Sequence, residues 1–345
     1  MAGSSGGAGA AGRALWGRGA QALRRPATLA WLVPLLALVA GPAYLHKSTQ
    51  MLLIQVFTLA VFGVSYDLLM GYSGITSFGH AMFFGLGAYL LGILLKLAHL
   101  PLWLIVPAIV VAASVLAVLV GTVSLRIKGV HFAMVTLAFA ELLFILSMAT
   151  ELRPWTGGDE GLHDFPILPG LHPWLNRTHF YYLGLGFLIG AYLVARRFVS
   201  SPTGRVLQAI RENEERAVAI GYHTFLYKVA VTILAGVLAA LAGAFNALFF
   251  RNATPEVLGV GRTIDALLVT IIGGVGTLVG PILGAGVVRL VGHYLVEIFG
   301  PRWPFVFGVV YILLVMFFPY GLIGTWQVNA PRLRRWLGRR VVRET

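Results

Sequence analysis

A chain of 345 residues that is 58% hydrophobic and only 11% charged has too little polar surface to cover a soluble globule. Its mean hydropathy of +0.83 points to an all-α polytopic membrane protein, and the absence of cysteine excludes a disulfide framework, a cysteine-ligated metal and a nucleophilic thiol. The formal net charge of +13 would suit nucleic acid as a partner, but the arginines stand in short runs beside apolar stretches, as retention of loops on the cytoplasmic side requires, and that placement argues against it.

Residues 1–26, MAGSSGGAGAAGRALWGRGAQALRRP, carry Arg13, Arg18, Arg24 and Arg25 and no acid. They read as a basic cytoplasmic tail that orients the first span, with a transit peptide as the alternative. The transmembrane domain is expected over 27–326. Crossing takes about 20 apolar residues, and about ten stretches qualify: near 28–45, 50–70, 74–95, 101–123, 130–149, 180–198, 228–250, 263–280, 281–299 and 304–324. Splitting 263–299 in two lets the spans return every basic loop to the side of the amino terminus.

The third stretch holds GYSGITSFGHAMFFGLGAYL, in which Gly71, Gly74, Gly79, Gly85 and Gly87 are weak helix formers. Small residues let helices approach closely in lipid, and they also permit a broken or re-entrant helix whose freed backbone must face protein or a watery cavity. The segment is therefore expected to line a path, with Gly74, Ser77, Gly79 and His80 as candidate pathway residues. Tight packing is the competing reading, and His80 reads first as a ring wedged between helices.

Residues 150–179 form the one sizeable outer loop, where Glu151, Asp159, Glu160 and Asp164 outnumber Arg153 and Arg177. Residues 199–227 are the inner loop with structure of its own. Ser201 can cap a helix that has Pro202 at its first position, with Val206, Leu207 and Ile210 on one face. Asn213 can cap a second, with Glu214 and Glu215 in its positive first turn and Gly221 as its stop. A stiff helix of about two turns is expected there, with Ala217 and Ile220 on one side. An interfacial helix resting on lipid is the alternative, but the two acids would be repelled by anionic headgroups.

Residues 273–286 repeat the glycine-rich character late in the chain, which suggests a second broken helix and two related halves. The tail 327–345 is basic again. Inside the spans, Glu141 and Arg289 fall near helix centres and are expected to neutralise one another or face a cavity, because an isolated charge there costs about 2.5–3.5 kcal/mol. Asp67, Asp265 and Glu297 are expected nearer span ends, snorkelling to water. The acids are too scattered for a paired-carboxylate, metal or nucleophile constellation, so no catalytic site is expected.

Glu215-Arg216-Ala217 with Gly221 beyond it resembles the EAA coupling signature of bacterial ABC importer permeases, with Arg216 departing from the usual alanine. The wider text, SPTGRVLQAIRENE at 201–214, is similar to the loop of branched-chain amino-acid importer permeases. So are DLLMGYSGITSFGHAMFFGLGAY from Asp67, where that family commonly has asparagine, GVHFAMVTLAFAELL at 129–143, TGGDEGL at 156–162 and IGGVGTLVGPILGA at 272–285. These five blocks run in family order, and the chain resembles the longer of the two permeases in such importers.

The resemblance implies an ABC importer permease fold in a bacterial cytoplasmic membrane. It implies partners: a second homologous permease, two ATPase subunits and a periplasmic or lipid-anchored binding protein. ATP would bind the partner subunits, since no G-x-x-x-x-G-K-[ST] stretch is present here and no cofactor is expected on this chain. The cargo implied is a branched-chain amino acid, with urea or a short-chain amide as alternatives. Asn213, Glu214, Glu215, Ala217 and Gly221 would couple to the ATPases. An ion-coupled secondary transporter working through Asp67, Glu141 or His80 is the rival from another class.

Overall fold

In a computed structural model the described residues are 36–127, 129–166, 176–318 and 321–325. The expected tails 1–26 and 327–345 and residues 28–35 of the expected span 28–45 lie outside them. Residues 1–50 and 51–345 group as separate compact units. In the first, residues 36–44 are helical and the Gln50 amide donates to the carbonyl of Leu45 at 3.1 Å.

The second unit is built from helices. Helix α1 (Lys47–Asp67) carries the chain into it and ends in a π-helical turn, Leu68–Ser73. After it come α2 (Ala81–Lys96), α3 (Leu102–Ser124), α4 (Val130–Met148), α5 (Arg177–Val199), α6 (Pro202–Glu212), α7 (Glu214–Ala219), α8 (Thr224–Phe250), α9 (Val260–Gly273), α10 (Gly280–Phe299) and α11 (Trp303–Phe317). Among the described residues six helical segments are long and apolar enough to cross a membrane: 47–73, 102–124, 130–148, 177–199, 224–250 and 280–314. The last of these is interrupted at Gly300, where φ is +51°, so α10 and α11 are separate helices.

The expected spans 74–95 and 263–280 need correction. Residues 74–80 are not helical, and α2 and α9 hold 16 and 14 residues. At about 1.5 Å per residue they reach roughly 24 and 21 Å, short of a hydrocarbon core of about 30 Å. The break after α1 is tolerable because its backbone finds partners. Phe78 N–H donates to Thr136 Oγ1 on α4 at 3.2 Å, Ala81 N–H donates to Thr263 Oγ1 on α9 at 2.9 Å, and Ser77 C=O accepts from the Tyr66 hydroxyl at 3.1 Å.

Helices α2, α3 and α8 make the centre of the packing. In lipid this association rests on close backbone approach. A Cβ at Gly87 would overlap the carbonyl of Ala240, and one at Gly243 the carbonyl of Phe84, so α2 and α8 meet through reciprocal glycine contacts. In the first span 83% of the residues of its most apolar stretch are buried, against 11% in the 280–314 span.

A two-residue antiparallel ladder joins β1 (Leu162–His163) to β2 (Asn252–Ala253), pairing Leu162 with Ala253 and His163 with Asn252. Arg251 donates twice to the Phe165 carbonyl, at 3.1 and 2.8 Å, and Lys96 donates to the His163 carbonyl at 2.8 Å. The acidic loop is thereby pinned to the ends of α8 and α2.

Gly87→Val and Gly243→Val should each cost about 1–3 kcal/mol through overpacking. Gly186→Val, where a Cβ meets nothing within 4 Å, should be neutral. Thermal unfolding in detergent, followed by size-exclusion profile, checks the contrast.

Candidate functional site

The two glycine-rich breaks meet. Asp67, 0% exposed at the end of α1, accepts from Gly276 N–H at 2.6 Å and Leu278 N–H at 3.1 Å. Its carboxylate thus holds the turn between α9 and α10, which Gly276 enters at φ +79°. The approach is close enough that a Cβ on Gly71 would strike both Asp67 and Gly276. The expectation of a snorkelling Asp67 is corrected: it is spent on backbone donors that the broken helix leaves free, as an unpaired group in lipid would be costly.

Arg211, at the end of α6, donates to the carbonyl of Gly71 and packs over Gly74. The loop helices therefore touch the break directly. Ser201 Oγ caps α6 by accepting from Gly204 N–H at 3.3 Å, with Leu207 and Ile210 buried beneath. Asn213 Oδ1 caps α7 by accepting from Arg216 N–H at 2.9 Å, and Glu214 pairs with Lys228 on α8 at 2.5 Å. Gly221 ends the unit at φ +99°. Glu215 is exposed. Ala217 is 4% exposed but Ile220 is 69% exposed, so the expected common side for the two is corrected: Ile220 follows the helix end and turns outward with Val218 and Leu226.

A cavity of about 580 Å³ lies between this loop and the break, lined among others by Gly74, Thr76, Phe132, Arg211, Asn213 and Lys228. A second, about 430 Å³, is lined by Tyr72, Gln208 and Gly276 and again by Arg211. Of the four expected pathway residues only Gly74 lines the larger one. Ser77 is buried and accepts from Gly79 N–H at 3.3 Å, and a Cβ on Gly79 would overlap the Thr136 carbonyl. His80 is fully buried, stacked on Phe62 with Tyr66 and Phe83 edge-on, its Nε2 2.9 Å from Ser65 Oγ. These three are packed at the break and line neither cavity.

The expected Glu141–Arg289 neutralisation is also corrected. Glu141 is exposed on α4, while Arg289 lies beside Asp265 and Arg262 in a niche shared with Gln55 and Asn246. Asp265 pairs with Arg262 at 3.4 Å, one helical turn away, and Glu297 with His293 at 3.6 Å.

Comparison with known proteins bears on this arrangement. The family model described as "Branched-chain amino acid transport system / permease component" matches residues 48–318. The chain belongs to this family. Among curated relatives, the high-affinity branched-chain amino acid transport system permease protein LivM of Escherichia coli (strain K12) is 26% identical over 330 residues, 88% of this chain and 76% of that protein. The probable branched-chain amino acid transport permease protein LivM of Methanocaldococcus jannaschii is 25% identical over 245 residues, 66% of this chain and 70% of that one. The autoinducer 2 import system permease protein LsrC of Yersinia pseudotuberculosis serotype O:3 is 28% identical over 226 residues, 60% of this chain and 61% of the relative. No solved structure matches.

Sequence reasoning located both glycine-rich segments of this permease and its capped loop, but missed Arg211, Lys228, Thr136 and Thr263. Arg211 sits inside the quoted stretch 201–214, and its one signal was a cation at the end of a helix whose other face is apolar.

Asp67→Ala would leave two backbone N–H groups without their acceptor at about 1–3 kcal/mol each. It should lower the unfolding temperature of the permease far more than Glu141→Gln, which alters an exposed carboxylate. Parallel thermal melts of the two variants test this.

Proposed function

We propose that this permease is a transmembrane subunit of an ATP-driven ABC importer and moves branched-chain, hydrophobic amino acids into the cell by alternating access. One observation carries the reading: the family match runs over 48–318, and within it a doubly capped loop abuts the cavity at the glycine break. The names of the LivM relatives support the cargo. The sequence has no phosphate-cradling glycine loop, so the reading assigns ATP to two separate subunits. A second homologous permease and a periplasmic or lipid-anchored binding protein complete the complex, in a bacterial cytoplasmic membrane.

In this reading residues 199–227 face the cytoplasm, 150–179 face the periplasm, and α2 and α9 are the re-entrant halves of broken spans. ATP-driven closure of the partner subunits pushes α7 through Asn213, Glu214, Glu215, Ala217 and Gly221, the EAA-like segment. The push leaves the loop by two contacts. Glu214 carries it through Lys228 into α8, and Arg211 carries it to Gly71, whose neighbour Asp67 holds the opposite break. The 580 Å³ cavity is then the inner part of the path, and it changes volume as the loop moves. A path for leucine-like cargo wants small and apolar walls with few polar groups, which Gly74, Phe132 and Ala133 supply. The LsrC relative is named for a different cargo, so the substrate follows the binding protein; urea and short-chain amides are the alternatives to be measured.

Affinity purification of the tagged chain from its own membranes should bring down a second permease and two nucleotide-binding subunits. Reconstituted with a loaded binding protein, that assembly should take up leucine, isoleucine or valine only with ATP; uptake by the lone chain in an ion gradient would overturn the reading. Ala217→Glu, at a buried site, should raise ATP consumed per substrate carried about tenfold or abolish transport. Asn213→Ala should weaken the loop by about 1 kcal/mol through the lost cap, seen as a higher ATP-to-substrate ratio with assembly intact.

A further inference from the structure

Lipid accepts a helix face of hydrocarbon and rejects one of charge. Helix α3 shows the first kind, since each of its exposed residues is apolar, Val111, Val115, Val118 and Leu119 among them. Helix α10 shows the second. It belongs to the span whose apolar stretch is the least buried of the six, and Gly286, Arg289, His293 and Glu297 follow one another at spacings of three, four and four, which puts them on one side of the helix. Gly286 and Arg289 are half-exposed, and His293 and Glu297 are exposed. A Cβ on Gly286 would meet nothing within 4 Å, so the stripe leaves room for a close neighbour.

The charges on this side do not balance. His293 and Glu297 pair with each other at 3.6 Å. Arg289, the tenth of the 20 residues of α10, is left over. Its Nε is shut from solvent without a hydrogen-bond partner among the described residues, and the aspartate beside it, Asp265, is held by Arg262 at 3.4 Å. Two guanidinium groups beside one carboxylate leave one positive charge in the middle of the helix pair. This chain has no acid to spare for it. Nothing before Asp67 is acidic, Asp67 is spent on the turn at Gly276, Glu141 stands exposed on α4, and the remaining acids sit in loops or in the tail 327–345.

We infer that this stripe of α10 is the face on which the second permease packs, and that the partner supplies a carboxylate to Arg289. Charge selects the kind of partner. Packed face to face through α10, two copies of this chain inserted the same way would set Arg289 against Arg289 at one depth, whereas a homologue with an aspartate or glutamate at that depth neutralises the surplus. Glu297 of a second copy would stand eight residues along the helix, about 12 Å away, and is already paired. Gln55 and Asn246, half-exposed beside Arg289, offer amide donors to the same incoming carboxylate. The inference deepens the importer reading and rests on it.

The chain has no cysteine, so single cysteines report without background. Gly286→Cys on the stripe and Val115→Cys on α3 are each labelled with a benzophenone maleimide in membranes that hold the whole importer, then irradiated, and the adducts are identified by mass spectrometry. Gly286→Cys should capture a second, homologous permease, and Val115→Cys lipid alone. In parallel, the second permease that co-purifies with the tagged chain in mild detergent is measured for Arg289→Glu, which should retain about tenfold less than wild type, and for Arg289→Lys, which should retain most of it. Changing an acid in the captured segment to lysine should restore co-purification with Arg289→Glu, a rescue that a folding defect does not allow. The interface is overturned if Gly286→Cys captures only lipid or a second copy of this chain, if Val115→Cys captures the permease instead, if no acid in the captured segment rescues Arg289→Glu, or if Arg289→Glu keeps a wild-type share of its partner. A tagged wild-type chain that brings down no second permease ends the importer reading itself, whereas a permease captured elsewhere on the surface sinks this face alone.

Discussion

A helix that breaks inside a bilayer must give each freed N–H an acceptor, and here one carboxylate meets much of that demand. Asp67 closes α1 and takes two N–H groups from the turn between α9 and α10, more than 200 residues away in sequence. Two donors of the first break, Phe78 N–H and Ala81 N–H, go to threonines on α4 and α9. Because the acceptor stands at the entrance to one break and its donors lie in the other, the two breaks lie together, and the absence of a Cβ on Gly71 lets them do so. Much of the arrangement around the cavity follows from that constraint.

The loop after α5 gains meaning from the same contact. Two caps make it stiff, and Arg211 sets its end against the carbonyl of Gly71, so a displacement of the loop bears on the point where the two breaks are joined. A chain without the caps would leave the first-turn N–H groups of α6 and α7 unpaired and the loop free to bend. One in which Arg211 pointed to solvent would move its loop without moving the break.

The sequence made some of this legible for identifiable reasons. Caps and stops are local, so Ser201, Asn213 and Gly221 could be read from their neighbours alone, and the long apolar runs fixed α3, α4, α5 and α8 to within a few residues. Long-range pairing could not be read. Asp67 looked like a carboxylate near a span end because nothing close to it in sequence names Gly276 as its partner. Glu141 and Arg289 looked complementary because both sit mid-helix, whereas Arg289 turns toward Asp265 on the helix to which a short turn connects it. Ser77, Gly79 and His80 were legible as an irregular segment, but whether such a segment lines a space or fills one depends on helices far along the chain. Thr136 and Thr263 were invisible for the same reason: a threonine in an apolar run announces no target.

Helix α8 is fixed near both of its ends. Near its start Lys228 is clasped by Glu214, and its last residue leads through Arg251 into the small ladder that fastens the acidic loop. Twenty-seven residues at ~1.5 Å each make a rod about 40 Å long. Such a rod ties the capped loop beside the cavity, through Lys228, to the acidic loop at its other end. Freeing either fastening would therefore leave the opposite loop tied to a rod with one loose end.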